Sequence, residues 1–142
     1  MTISRSKSIM MAMALAGAGT LGLGADLQAK GGSTGTEVRL RCSVSNRRGP
    51  DMNSEWRGFT DGSRMDFKVQ VEDLASTAGL TVQVGAFTAA IPETFAPTPG
   101  AADGVAELDI TSQDGDNVPA LAKGAQVNVL QNGTGLISCF LN

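Results

Sequence analysis

The chain has 142 residues and a formal net charge of −3, with two cysteines, one tryptophan, and neither histidine nor tyrosine. Without histidine it lacks the commonest general base and the usual Ser-His and Cys-His nucleophile systems, and a zinc site would lack its commonest nitrogen ligand. A mildly acidic chain with so few aromatic rings is also a poor partner for nucleic acid, which selects basic, stacking surfaces.

The first residues read as a secretory signal peptide, residues 1–29. Arg5 and Lys7 form a basic start, and Ile9 to Leu23 is an uncharged apolar run too short and glycine-rich for a membrane span. Small residues then offer cleavage after Ala29, or after Ala25 as a second choice, with no cysteine there to carry a lipid anchor. Cleavage after Ala29 leaves about 113 residues, enough for a single domain, 30–142, with a modest core. Export implies an oxidising compartment, periplasmic or extracellular, and Cys42 and Cys139 then most simply form one disulfide.

Lys30 to Thr36 is a flexible start by composition. Glu37 to Ser45 alternates, with Val38, Leu40, Cys42 and Val44 on one face and Arg39, Arg41 and Ser43 on the other, which predicts a half-buried strand. Asn46 to Asn53 is a loop, and Ser54 to Phe59 a short strand with Trp56 opposed to Glu55 and Arg57. After an Asp61-Gly62 turn comes the clearest alternation in the chain, Met65, Phe67, Val69 and Val71 against Asp66, Lys68, Gln70 and Glu72. Leu80 to Gly85 is a fourth strand. Ala89 to Asp103 carries Pro92, Pro97, Pro99 and Gly100, and is expected to be an exposed loop because proline denies a ladder its amide hydrogen. Alternation returns over Gly104 to Thr111.

The last segment, Gln126 to Leu141, is a hairpin. Asn132-Gly133 at its middle fits a type I′ turn, which needs positive φ at both central residues. Its second arm, from Leu136 to Leu141, is apolar on both faces, as an interior strand would be. Seven short strands without a convincing helix predict an all-β fold: an antiparallel β-sandwich of immunoglobulin-like size. The cysteines lie in its first and last strands, so their bond would hold the two ends of the domain side by side.

The run Ser54-Glu55-Trp56-Arg57, then Arg64 to Leu74 and Ala106 to Pro119, resembles a pattern in small exported bacterial β-domain proteins of unassigned function. The resemblance implies the fold and supplies no activity.

Charge is unevenly spread along the chain. Basic residues lead from Lys30 to Val71, and from Glu72 onward only Lys123 opposes the acids. Either the halves form separate faces, which would favour salt-sensitive head-to-tail association, or their strands interleave and the charges pair on the surface.

For an enzyme only paired carboxylates remain, drawn from Asp51, Glu55, Glu107 and Asp109. Positions i and i+2 of a strand stand about 7 Å apart, a spacing an inverting glycosidase pair uses. The ordinary alternative is solubilising side chains on a wet face. The acidic turn Asp114, Asp116 and Asn117, with Asp109 before it, offers hard oxygens of the kind calcium takes, or simply a polar turn bonding its own amides. Asn132-Gly133-Thr134 matches a glycosylation sequon, although the hairpin alone accounts for it.

The expected function is therefore a non-catalytic exported module that binds an unknown protein or glycan, or assembles with itself. The loops Asn46 to Asn53 and Ile91 to Gly100 are its expected contact surfaces. A secreted inhibitor presenting the Pro-rich loop to a hydrolase is the alternative, and a carboxylate-dependent hydrolase stands behind both.

Overall fold

A computed structural model describes residues 34–142; the expected signal peptide lies outside the described residues. The described chain is all-β, with two antiparallel sheets and nine strands where seven were expected. These are β1 (Glu37–Val44), β2 (Asp51–Phe59), β3 (Met65–Leu74), β4 (Leu80–Val84), β5 (Phe87–Ala90), β6 (Glu93–Phe95), β7 (Gly104–Thr111), β8 (Gln126–Gln131) and β9 (Thr134–Phe140). One sheet has the order β1-β2-β3-β7-β6, the other β5-β4-β8-β9.

Alternation along the strands sets which side chains go inward. Leu40 and Cys42 of β1, Met52 and Trp56 of β2, Phe67, Val69 and Val71 of β3 and Leu108 of β7 are buried from the five-stranded sheet. Val82, Val127, Val129 and Leu141 are buried from the other side, and all belong to one apolar cluster. Phe67 of β3 and Phe87 of β5 meet edge to face, their ring centroids 6.1 Å apart, a geometry that aromatic quadrupoles favour.

The turns follow from local chemistry. Asn132 and Gly133 take φ of 50° and 79°, as the type I′ hairpin requires, and Gln131 pairs with Thr134 across them. Between β4 and β5, Gly85 takes φ of 57° at the first position of another two-residue turn, and Val84 pairs with Phe87. β3 carries a register shift between Val71 and Leu74, with Asp73 at φ 56°, so one extra residue is accommodated as a bulge opposite β7.

Three expectations are corrected. Ala89 to Asp103 is not all loop, because β5 and β6 flank Pro92. Proline withholds an amide only at its own position, and here the chain changes sheets: Ile91 N donates to Leu80 O at 3.0 Å, while Pro92 O accepts from Glu107 N at 3.0 Å. Asp51 to Asn53 belongs to β2 rather than to the preceding loop. Finally, β9 is an edge strand of its sheet, not an interior one, and leaves Phe140 59% exposed.

The two sides of the domain are finished differently. On one, Cys42 and Cys139 form the disulfide between β1 and β9, and Arg41 and Asn142 exchange two main-chain hydrogen bonds, both 3.1 Å. On the other, the continuous segment β5-Ile91-Pro92-β6 supplies the edge of each sheet in turn. Trp56 anchors the crossing between β7 and β8. Its Nε1 donates to Pro119 O at 2.9 Å, and its ring lies over Gly58, where an added Cβ would stand 2.4 Å from a ring carbon.

Candidate interaction surfaces

Every strand of the five-stranded sheet carries charge. Strand register brings these side chains into rows on the outer face: Arg41 faces Glu55, Glu55 faces Lys68, and Lys68 faces Asp109, so signs alternate across four strands. Opposite charges at directly paired positions attract, and like charges there repel. Arg41 Nε donates to Glu55 Oε2 at 2.6 Å, and Lys68 Nζ to Glu107 Oε1 at 2.9 Å, with Asp109 at 3.8 Å. Arg39 approaches Glu55 at 3.7 Å and Glu37 at 2.9 Å.

Asp66, the most buried of these acids, receives the Arg64 guanidinium at 2.9 Å and has Arg57 at 3.4 Å. Burial pushes its carboxyl pKa up, but hydrogen bonds from Arg64 and Thr111 and the two arginine charges outweigh burial and hold it below the usual 3.8. The same bond raises the pKa of Arg64, and the hydrogen bond to Glu107 raises that of Lys68. Basic and acidic residues thus meet on one face, in part between the two halves of the chain, as Lys68 does with Glu107 and Asp109.

The carboxylates considered for hydrolysis are spread through this pattern. Glu55 is shared by arginines, Glu107 and Asp109 flank one lysine, and Asp51 holds the β1–β2 loop by accepting from Ser45 Oγ at 2.9 Å and Asn46 N at 2.6 Å. Of the acidic turn, Asp116 accepts from Thr111 N at 3.1 Å, Asp114 lies in a single 3-10 turn, Ser112–Asp114, and Asn117 follows beyond it, while Asp109 stays with Lys68. Among the described residues no three His, Cys, Asp or Glu side chains are grouped as a metal would require.

The four-stranded sheet is the opposite case. β4, β5, β8 and β9 contain no Asp, Glu, Lys or Arg at all. Its outer face presents amides, hydroxyls and apolar groups, among them Gln83, Thr88, Asn128, Leu130 and the exposed Phe140. Natural surfaces intersperse charges of both signs to stay soluble, and this sheet departs from that pattern along all four strands. Sequence reasoning singled out charged and cysteine residues and missed this face. The signal was present, because each of the four segments is uncharged when read alone, but that they share one sheet is not written in any of them.

A groove of about 810 Å³ runs beside the disulfide, with Arg41, Glu55, Lys68 and Gln70 on one side and Ser138 and Phe140 on the other. Its charges are already paired, Arg41 with Glu55 and Lys68 with Glu107 and Asp109 beyond the groove. In the Pro-rich segment, Thr98-Pro99-Gly100-Ala101 forms a tight turn, Ala101 N donating to Thr98 O at 2.9 Å with Gly100 at φ 85°. Asp103 clamps it by accepting from Thr98 N and Thr98 Oγ1, both at 2.6 Å. Those bonds lower its carboxyl pKa.

No protein-family model, curated protein or solved structure matches this chain. Function is then a question for the fold and its surfaces.

Proposed function

We propose that this protein is an exported, non-catalytic β-sandwich, its two sheets packed face to face, that serves as a binding and assembly module in the cell envelope or outside the cell. The observation that carries this is the division of charge between the sheets. On the outer face of the five-stranded sheet the basic side chains are paired with acids, Arg41 with Glu55 and Lys68 with Glu107 among them, and the four-stranded sheet has no charge to hydrate it. A disulfide and an N-terminal segment of signal-peptide pattern support export, and the missing histidine supports a role without chemistry.

The test is solution mass by light scattering over a range of protein and salt concentration. A mass that rises with protein concentration and ignores salt is expected. Salt-dissociated oligomers would instead implicate the charged sheet, and a monomer throughout would remove assembly from the proposal.

The clamped turn favours a second reading, a secreted inhibitor. A hydrolase-directed loop gains affinity when it is held rigid before binding, and Asp103 holds Thr98 by two hydrogen bonds. Survival of the Thr98–Ala101 turn during incubation with proteases that the protein inhibits would support it. Cleavage there without inhibition would sink it.

A further inference from the structure

Each sheet has two edges, and three of the four are protected in ways known to discourage strand pairing. β1 carries Glu37, Arg39 and Arg41, and it meets Asn142 across the disulfide side, where β9 is also tied. β6 is three residues long, irregular in register and carries Glu93, whose carboxylate accepts from Thr77 Oγ1. β5, four residues long, has neither the charge nor the irregularity: Phe87-Thr88-Ala89-Ala90 is uncharged and regular in its pairing with β4.

Register fixes which of its main-chain groups are free. The two-residue turn makes Val84–Phe87 a hydrogen-bonded pair, and Ile91 N donating to Leu80 O confirms the same phase further along the strand. Antiparallel pairs alternate between bonded and non-bonded. Thr88, opposite Gln83, and Ala90, opposite Thr81, therefore point their amides and carbonyls away from β4.

We propose that β5 pairs with β5 of a second copy about a two-fold axis through Ala89, joining two four-stranded sheets into one. This rests on the assembly reading above and names its contact. In that register Thr88 of each copy faces Ala90 of the other, and both pairs are hydrogen-bonded, giving four main-chain bonds. Ala89 meets its own copy in a non-bonded pair, where Cα atoms stand about 4.5 Å apart and a small side chain is needed. An isologous contact places any residue near the axis against itself, so a charge there would repel its own image. This strand and its sheet have no charge.

The protein to test is the oxidised chain as the expressing cell delivers it. Thr88→Pro removes an amide that points outward, so the β4–β5 ladder keeps its bonds, and proline is tolerated on edge strands. Two lost main-chain bonds per dimer weaken association by about 30-fold, with the melting temperature of the monomer unchanged. As an independent readout, Ala89→Cys forms a covalent dimer on mild oxidation, because the Cα separation at the axis lies within disulfide range. The wild-type dimer persists in about 1 M salt, where screening acts within about 3 Å. Oligomers that survive Thr88→Pro, together with no cross-link through Ala89→Cys, would overturn the β5 contact and leave assembly standing. A wild-type monomer at every concentration overturns both.

Discussion

Removing the disulfide by Cys42→Ala with Cys139→Ala tests how the domain's ends are held. The bond spans 97 positions, nearly the whole described chain. In the chain-entropy treatment a loop near 100 residues is worth about 4.7 kcal/mol, acting mainly by restricting the unfolded state. Small domains are stable by only about 5–15 kcal/mol, so the variant loses a third or more of its margin. With a urea m-value of about 1.5 kcal/mol/M the midpoint falls by roughly 3 M, and m rises because the unlinked denatured chain is more expanded. Both cysteines are buried, so alanine also removes two packed sulfur atoms; the reduced wild type, with both thiols kept, gives the loss due to the link, and what the variant loses beyond that is packing. Equilibrium urea unfolding of the oxidised protein, the reduced protein and the variant measures both. Hydrogen exchange at the Arg41 and Asn142 amides reports the local consequence, since their mutual bonds join the same two ends. A midpoint lowered by less than about 0.5 M, with those amides equally protected, would mean that strand packing alone holds the ends and that the entropic reasoning is wrong for this fold.

Trp56→Phe keeps most of the buried ring but leaves Pro119 O without its donor; a loss of about 1–2 kcal/mol in chemical denaturation is expected, and a neutral result would show that this bond does not hold the crossing. Gly104→Ala places a Cβ 2.7 Å from Leu74 O, a main-chain atom that cannot swing aside, and should cost about 2–3 kcal/mol. Gly135→Ala, with nothing within 4 Å of its Cβ, is the near-neutral control. Acid should expose the Asp66 cluster. Its folded pKa lies below 3.8, so its contribution is fully present above that value and is lost as pH falls through the lower folded one. Asp66→Asn should flatten that acid limb of the stability curve, and a curve that superimposes on the wild type would refute the assignment.

Much of this protein is legible locally. Alternation over Met65 to Val71 states a half-buried strand because successive side chains must point to opposite faces, and Asn132-Gly133 states a type I′ hairpin because few residue pairs accept two positive φ values. The single pair of cysteines foretold that the first and last strands are neighbours. β5 and β6 were hidden for the converse reason. Phe87 to Ala90 has too little contrast between its faces to show a period, and Pro92 advertises a break at what is a change of sheets. The doubly apolar second arm of the hairpin was equally misleading, since apolar side chains on both faces accompany an exposed Phe140 as readily as an interior place.

By itself the sequence determined the class of fold, the inward face of most strands, the disulfide partners and the absence of histidine chemistry. Tertiary structure alone decided the order of strands in each sheet, which ones lie at edges, and that every charge within a strand falls on one sheet. The reason is that facing is set by the two-residue period of an extended chain, whereas neighbours are chosen by contacts between segments far apart in sequence. Arg41 has no local reason to meet Glu55, nor Lys68 to meet Asp109, until β1, β2, β3 and β7 lie side by side.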